Sequence, residues 1–390
     1  WTQMATVLPQ LGIYCNNSKH ALAHATPDSM VKATAVGSIN RFKARFVVCG
    51  YSQVKGEDYT HSFSATLRAT SFRLLMATAA GMKLKLEHFD VTNAFTQSEI
   101  DNEIYVKPPD GYINDACVPK GKVLKLKKSL YGTKQASRLW QLELRSFLVN
   151  DLKFKNSTHD PCLFSYHDSH GKIMLIGVYV DDIIVAHNDS KLLAWFTKRF
   201  TGEGGFKAKH LGSLSWFLGM AIDVHSDHSI SISQEQYVDK LMEKFAPKNA
   251  PKHSMPCNPL TFHLLTVAQS KEEREEAKKL PYLQIIGSLL YISTMTRPDI
   301  SYHMSHLCSL MHDPSPAAYQ AAVELLLYVG NTKDYRITFN RKTTVPASYK
   351  APSQDYLKKN CGIVCYSDSS WHKPDETGHS MFGYTIFMFG

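Results

Sequence analysis

Two adjacent aspartates, Asp181 and Asp182, interrupt an apolar stretch that runs from Ile173 to Ala186. The β-branched and aliphatic residues on both sides predict two buried strands joined by a two-residue Asp-Asp turn. Two carboxylates about 4 Å apart repel by roughly 4 kcal/mol at an effective dielectric near 20. The pattern therefore indicates either an exposed turn, where Asp is common, or a site in which a cation offsets the repulsion.

A third carboxylate, Asp90, ends an apolar stretch and is followed by a turn into Asn93, Ala94 and Phe95. Residues 71–80 predict a helix that ends at Gly81, so Asp90 is expected at the end of the following strand. Three such carboxylates are what a two-metal phosphoryl-transfer site requires, and Mg²⁺ takes hard oxygen ligands of this kind. Sequence spacing alone leaves open whether Asp90 meets the aspartate pair.

The overall composition favours a polyanionic partner. The chain has 390 residues and a net charge of +9, and its pI is about 9.0. Its length predicts about two to four domains or subdomains, and its charge points toward nucleic acid. Residues 120–138 carry seven cations and no acid, which favours a phosphate-facing surface over a solvated charged face.

The cysteines and the apolar segments indicate an intracellular protein. Eight cysteines lie without metal-finger spacing and predict reduced thiols, with a zinc site at Cys361 and Cys365 as the less favoured alternative. No apolar stretch approaches the roughly 18 residues that span a bilayer, and no N-terminal leader is visible. Because the first residue is Trp1, we expect a piece of a larger polyprotein.

Eight ordered sequence blocks carry a family resemblance. They read FKARFVVCGYSQVKGEDYTHSFS, FDVTNAF, EIYVKPPDGY, KKSLYGTKQASRLW, YVDD, FLGMAI, IGSLLYISTMTRPDI and YSDSSW. From about Arg41 onward, their order and spacing resemble the reverse transcriptase region of copia-type LTR retrotransposons. The resemblance implies an α+β, right-hand polymerase fold with fingers, palm and thumb, followed by a connection segment and a truncated RNase H-like domain.

The resemblance also implies subdomain boundaries. Residues 1–36 are expected to form an N-terminal extension, 37–225 the fingers and palm, 226–300 the thumb, 301–359 the connection and 360–390 the start of the RNase H domain. A Pro-rich linker at 246–259 lies within the thumb region. Asp368 resembles the first RNase H carboxylate, and because the chain stops at Gly390, RNase H activity is not expected.

Residues that match the family motifs acquire implied roles. Asp90, Asp181 and Asp182 resemble the catalytic carboxylates that hold two Mg²⁺ ions, with Mn²⁺ as a substitute. The Val91 carbonyl resembles an additional metal ligand. Phe95 lies where such polymerases place an aromatic gate against the ribose 2′-OH, although a core aromatic residue fits the same letters.

Further residues resemble binding positions. Lys43 and Arg45 are implied to contact the triphosphate. The residues implied to lie beneath the nucleotide and template are Tyr131, Gly132 and Gln135. The residues that resemble the primer grip are Phe217, Leu218, Gly219 and Met220. Each set also has a purely structural interpretation. The two cations fit exposed charges on a strand, the second set fits a tight turn that opens a helix, and the third fits apolar strand packing. Either Lys207 or Lys209 resembles the family's general-acid lysine.

Several positions depart from the family pattern, namely Cys49, Ser137, His210 and Ser370, together with the loop TQSEI. The leading hypothesis is nevertheless an RNA-directed DNA polymerase, a nucleotidyltransferase that extends a DNA or RNA primer with dNTPs on an RNA template. The alternative is a catalytically silent nucleic-acid-binding remnant of a decayed retrotransposon. A generic metal-dependent hydrolase explains neither the basic stretch nor Phe95.

The expected surroundings follow from the same resemblance. The rest of the pol polyprotein is an expected partner, and no membrane association is expected. A cytoplasmic virus-like particle or the nucleus is the expected location. The oligomeric state and the host are not indicated by the sequence.

Overall fold

The computed structural model describes residues 11–14, 25–33, 39–108, 122–340, 363–369 and 382–388, with side chains within 46–108, 122–340, 365–369 and 383–386. Two compact units make up the chain, the first from residues 1–71 and 85–213 and the second from residues 72–84 and 214–390. Helix α1 (Ala69–Met82) begins in the first unit and lies mostly in the second.

The first unit combines antiparallel strands with two further helices. Its elements are β1 (Leu11–Tyr14), β2 (Ala25–Ala33), β3 (Ile39–Val48), β4 (Lys85–Val91), β5 (Tyr105–Val106), β6 (Val123–Leu126), α2 (Ala136–Ser146), β7 (Lys155–Asn156), β8 (Leu163–His167), β9 (Ile173–Tyr179), β10 (Asp182–His187), α3 (Ser190–Thr201) and β11 (Ala208–Ser213). Strand β2 pairs with β3, and β1, β6 and β5 form a three-stranded sheet.

A six-stranded sheet in the order β11-β4-β10-β9-β8-β7 is the main feature of this unit. Residues 183–187 of β10 are all buried, as predicted, whereas β9 alternates half-buried and buried residues from Ile173 to Ile176. Helix α3 packs Phe196 and Phe200 edge-on against Phe89 of β4, with ring centroids 5.5 and 5.9 Å apart. Because strand side chains alternate between faces, Asp90 points to the face opposite Phe89.

The second unit is mainly helical. Its further elements are β12 (Trp216–Phe217), β13 (Met220–Val224), β14 (Ile230–Ser233), α4 (Glu235–Phe245), α5 (Lys271–Ala277), α6 (Tyr282–Met295), α7 (Ser301–Ser309), α8 (Pro316–Asn331), β15 (Ile337–Phe339), β16 (Ile363–Ser369) and β17 (Phe382–Met388). One apolar cluster includes buried residues from Val238 to Val329, so a single core crosses the predicted thumb boundary at residue 300. The predicted linker 246–259 contains neither helix nor strand.

A buried arginine organises the turn between α6 and α7. Arg297 is 2% exposed and forms a forked ion pair with Asp299, at 2.8 Å for the shortest contact. It also donates to the carbonyl and the hydroxyl of Thr332 at the end of α8. Burial pushes the pKa of Asp299 upward, but hydrogen bonds and charge from Arg297 outweigh it and leave the pKa below its ordinary value.

Across the residues that the structure describes, none of the helices has the length and apolar character that a membrane span needs. Charge and burial instead divide along ordinary amphipathic helix faces, as in α2, where Trp140 and Leu144 are buried and Glu143 and Arg145 are exposed.

We expect Gly132→Ala to destabilise the first unit strongly. Gly132 has φ +87°, and an added Cβ would lie 2.0 Å from the carbonyl oxygen of Val48. Gly171 provides a matched control because its φ is +76° and nothing lies within 4 Å of an added Cβ. Left-handed backbone alone costs about 1–2 kcal/mol for a non-glycine residue, so Gly171→Ala should lose about that much in urea unfolding and Gly132→Ala clearly more. Equal losses would contradict the close approach.

For the second unit, we expect Arg297→Ala to lower the free energy of unfolding by about 3 kcal/mol, because it leaves a half-buried carboxylate without its partner. Arg336→Ala is the control, since Arg336 is an exposed arginine 3.7 Å from Asp223 and pairs of that kind contribute about 0–1 kcal/mol. Urea unfolding followed by circular dichroism measures both. A loss at Arg297 no larger than at Arg336 would contradict the structural role.

Candidate active site

The predicted carboxylates lie on neighbouring strands. In the antiparallel pairing of β10 with β4, Asp182 is the direct register partner of Asp90. On the other side of β4, Lys209 of β11 is the partner of the same Asp90. Directly opposed residues point to the same face of a sheet, with Cβ atoms about 4.5–5.5 Å apart. Asp182, Asp90 and Lys209 therefore form one row across a single face.

The hairpin tip differs from the predicted Asp-Asp turn by one residue. Strand β9 ends at Tyr179 and β10 begins at Asp182, so the two loop residues are Val180 and Asp181. Val180 has φ 57°, a conformation that is a clear outlier for a β-branched residue. The shift arises because Asp182 takes a paired position opposite both Tyr179 and Asp90.

A backbone hydrogen bond joins the two aspartate motifs. The Val91 N–H donates to the carbonyl of Asp181 over 2.9 Å. Asp90, Asp181 and Asp182 are all half-buried, whereas Val91 is 1% exposed. The backbone pairing therefore places Asp90 and Val91 beside Asp181 and Asp182, as spacing alone could not establish.

His88 contacts a carboxylate of the row. It lies two residues before Asp90, on the same face of β4, and its Nε2 is 3.1 Å from Oδ1 of Asp182. His88 and Asp182 side chains are 15% and 34% exposed, so water screens the pair only in part. His88 and Lys209 are thus the cationic or proton-bearing groups that share this face with the carboxylates.

The donor chemistry of the row fits divalent magnesium. Carboxylate and carbonyl oxygens are the hard ligands that Mg²⁺ prefers. Within the part of the chain that the structure describes, no three His, Cys, Asp or Glu side chains already converge in a metal-binding group. The backbones of Asp90 and Asp182 are in register, while the Asp182 carboxylate contacts His88.

Gln97 ties the start of β11 to the turn after Asp90. Its side-chain amide accepts from the Lys207 N–H at 2.8 Å and donates to the carbonyls of Lys207 and Thr92. The Thr92 N–H also donates to the Lys207 carbonyl at 2.8 Å. Lys207 is therefore held through its backbone, while Lys209 is the lysine whose register position lies opposite Asp90.

Two of the predicted nucleotide-contacting residues meet each other. Phe95 lies in a 3₁₀ turn, Ala94–Gln97, and its ring centroid is 4.8 Å from that of Tyr131. Both side chains are half-buried, which leaves part of each ring accessible to a ligand. Gly132 lies next to them, where it allows the close approach to the Val48 carbonyl.

The Gln135 side chain is buried and hydrogen-bonds other protein groups. It is 0% exposed, its amide oxygen accepts from Gln53 at 3.2 Å, and its amide nitrogen donates to the Asp58 carbonyl at 2.9 Å. Gln53 in turn accepts from the Lys134 N–H at 2.7 Å. In this structure Gln135 joins the loop 53–58 to the start of α2.

The predicted primer grip is a hairpin within the second unit. Leu218 and Gly219 have φ 48° and 78°, as the favoured type I′ two-residue turn requires. Phe217 and Met220 are 1% and 0% exposed, so they pack inward and only the turn is open to a ligand. The turn is anchored by the hydroxyl of Tyr291, which donates to the Leu218 carbonyl.

The remaining predicted residues belong to other strands, and some of their side chains lie outside the described residues. Lys43 and Arg45 are opposite Met30 and Asp28 in the β2–β3 ladder, and their side chains lie outside the described residues. Asp368 is an exposed residue of β16, opposite Gly383 of β17. Its carboxylate accepts from the Ser369 N–H at 2.9 Å.

Two of the departures from the family pattern have clear local partners. His210 is 2.8 Å from Glu87 and stacks on Phe89, with ring centroids 4.5 Å apart. The Ser137 carbonyl accepts from the Ser64 hydroxyl at 3.1 Å. These contacts show that the local fold accommodates both residues.

Sequence reasoning missed three residues that act around the row, namely His88, Gln97 and Trp140. His88 could have been found from its position two residues before Asp90, which places both on one strand face. The contacts of Gln97 with Lys207 and of Trp140 with Val180 link residues 110 and 40 positions apart. No local signal in the sequence reveals them.

The chain is similar in sequence to proteins of one known family. Residues 29–259 match the family described as reverse transcriptase (RNA-dependent DNA polymerase). The retrovirus-related Pol polyprotein from transposon TNT 1-94 of Nicotiana tabacum is 32% identical over 316 residues, which cover 79% of this chain and 23% of that protein. The corresponding polyprotein from transposon RE2 of Arabidopsis thaliana is 31% identical over 361 residues, which cover 92% and 22%.

The chain thus spans less than a quarter of the length of these curated relatives. Among solved structures, a foamy viral protease-reverse transcriptase in complex with dsDNA is similar with a TM-score of 0.41 and 14% sequence identity. That likeness covers 98% of this chain and 62% of the viral chain.

Proposed function

The chain belongs to the reverse transcriptase (RNA-dependent DNA polymerase) family, and we propose that it catalyses RNA-directed DNA synthesis for a copia-type retrotransposon. The observation that carries the proposal is the register of β4 and β10, which places Asp90 opposite Asp182 and bonds Val91 to Asp181. A generic exposed turn would not need a buried strand pair behind it or a strained Val180 at its tip.

The carboxylates of the row and the adjoining loop residue Asp181 supply the ligands for catalysis. Asp90, Asp181, Asp182 and the Val91 carbonyl would hold two Mg²⁺ ions, which supply charge neutralisation and activation of the primer 3′-OH. The protein itself contributes position and charge, since in-line phosphoryl transfer asks for little covalent work. Lys209, opposite Asp90, is the better placed of the two candidate lysines to give a proton to the departing pyrophosphate.

The other predicted binding residues complete the proposal. Phe95, supported by the ring of Tyr131, excludes the ribose 2′-OH and so favours dNTPs. Lys43 and Arg45 contact the triphosphate as a point charge and a fork. The turn at Leu218 and Gly219 contacts the primer end, while Phe217 and Met220 support it from the core. Gln135 acts indirectly, through the loop that it holds.

The partners and surroundings follow from this function. The substrates are an RNA template, a DNA or RNA primer and dNTPs, and the basic stretch 120–138 faces phosphates. The subdomains are those of a right-hand polymerase, with fingers and palm at 37–225, thumb at 226–300, connection at 301–359 and the start of an RNase H fold at 360–390. The remainder of a Pol polyprotein is the proposed partner, inside the cell.

The first test compares primer extension on an RNA template by the unmodified chain and by Asp90→Asn and Asp181→Asn. Each substitution removes a charged ligand, so we expect extension to fall at least about 100-fold, as losses of electrostatic catalytic groups do. Primer-template affinity at low salt should be retained, because the phosphate contacts are unchanged. Asp151→Asn, at an exposed position after α2, is the charge-matched control and should extend normally.

Two outcomes would count against the proposal. If the unmodified chain binds primer-template but does not extend it with Mg²⁺ or Mn²⁺, the chain is a silent nucleic-acid-binding remnant. If Asp90→Asn and Asp181→Asn extend the primer as well as the unmodified chain does, these carboxylates do not form the catalytic centre.

The second test measures sugar discrimination by Phe95. Phe95→Ala should lower the ratio of kcat/KM for a dNTP over its rNTP by more than about tenfold, because pocket contacts of this size are worth that much. Tyr131→Phe is the control, since it keeps the ring that contacts Phe95 and loses only a hydroxyl. If Phe95 is only a core aromatic residue, Phe95→Ala slows both nucleotides alike and leaves the ratio unchanged.

A further inference from the structure

The tip of the β9–β10 hairpin stores backbone strain beside a catalytic carboxylate. Val180 is β-branched and has φ 57°, and its neighbour in the loop is Asp181. Such conformations persist only when surrounding contacts enforce them. Rotation of the peptide between Val180 and Asp181 would change ψ of Val180 and φ of Asp181, so a group that holds this peptide also fixes where the Asp181 side chain leaves the backbone.

Trp140 supplies that contact. Its indole Nε1 donates to the Val180 carbonyl over 2.7 Å, and the side chain is 1% exposed. A buried indole N–H needs an acceptor, and the Val180 carbonyl is the one recorded for it. Rotation of the Val180–Asp181 peptide would leave the buried indole N–H without this acceptor, so the hydrogen bond resists that rotation.

Trp140 is itself fixed within the first unit. It belongs to α2, and its ring meets Phe206 edge-on at 5.0 Å. Phe206 also contacts Phe147 at 5.0 Å and directly precedes the segment that carries Lys207 and Lys209. A single rigid aromatic residue therefore contacts both the hairpin tip and the approach to β11.

Asp181 is consequently held from both sides. The peptide before it is fixed by Trp140 through the Val180 carbonyl, and its own carbonyl accepts from the Val91 N–H. The first contact comes from α2 and the second from β4. Together they define where the Asp181 side chain leaves the backbone relative to Asp90.

We propose that Trp140 is a positioning residue for nucleotidyl transfer, which locks the Val180–Asp181 peptide so that Asp181 faces the same ligand as Asp90. The proposal rests on the polymerase function proposed above. It adds a residue with no direct contact to substrate, whose effect passes through one hydrogen bond. The indole N–H, rather than the bulk of the ring, is the functional group.

The decisive variant replaces Trp140 with β-(3-benzothienyl)alanine, in which sulfur takes the place of the N–H and the ring shape is kept. Trp140→Phe is the simpler companion variant. Phe206→Leu is the matched control, because it loosens the packing around Trp140 and leaves its donor intact. Thermal stability, hydrogen exchange of the segment 173–187 and single-nucleotide extension kinetics are measured for all of them.

Without the N–H, amide exchange around the loop 180–183 should accelerate at least about tenfold, because the loop loses the contact that holds it. The kcat for extension should fall between about 10- and 100-fold, as misplacement of a catalytic group does, while KM for dNTP and primer-template affinity change less than about threefold. Phe206→Leu should lower thermal stability and leave loop exchange and kcat close to those of the unmodified chain.

Unchanged loop exchange in the benzothienyl variant would overturn the proposal, as would equal exchange and kcat effects in Phe206→Leu. The exchange measurement needs no catalysis, so it tests the lock even if the unmodified chain does not extend primers. Failure of extension in the unmodified chain together with a Trp140-dependent loop would refute the polymerase function and leave the positioning contact standing.

Discussion

The register between β4 and β10 is the constraint on which the candidate site depends. It places Asp90 opposite Asp182, and a slip of one residue would send every side chain of the strand to the other face. Burial of Phe89 supports the register, because its ring packs edge-on against Phe196 and Phe200 on the face opposite Asp90. The apolar face thus determines which face presents the carboxylates.

Holding three carboxylates at one edge carries an electrostatic cost that the surroundings reduce. His88 contacts Asp182 directly, and Lys209 is in register with Asp90. A polymerase site needs this negative charge for its metal ions, so complete neutralisation by the protein would defeat the function. The structure instead provides a hydrogen-bonding histidine and an exposed lysine on this face, and Val180 takes a left-handed conformation directly before Asp181.

Sequence patterns predicted the parts of this arrangement that depend on local chemistry. Apolar runs located β4, β9 and β10, and the aspartates were expected at a strand end and a hairpin tip. The one-residue shift of the turn was not predicted, because it is set by pairing with β4 rather than by the loop residues. Burial of Gln135 and the contacts of Trp140 and Gln97 were also missed, since they join segments distant in the chain.

The central claim is that this row binds the divalent ions of a polymerase. Iron-mediated backbone cleavage with added hydrogen peroxide and ascorbate tests it directly. Fe²⁺ bound in place of Mg²⁺ reduces the peroxide to a hydroxyl radical that cuts the chain beside the ligands, and ascorbate regenerates Fe²⁺. The account predicts cuts confined to residues 88–92 and 179–183 that excess Mg²⁺ suppresses. Cuts elsewhere in the chain, or cuts at these positions that Mg²⁺ does not reduce, would contradict it.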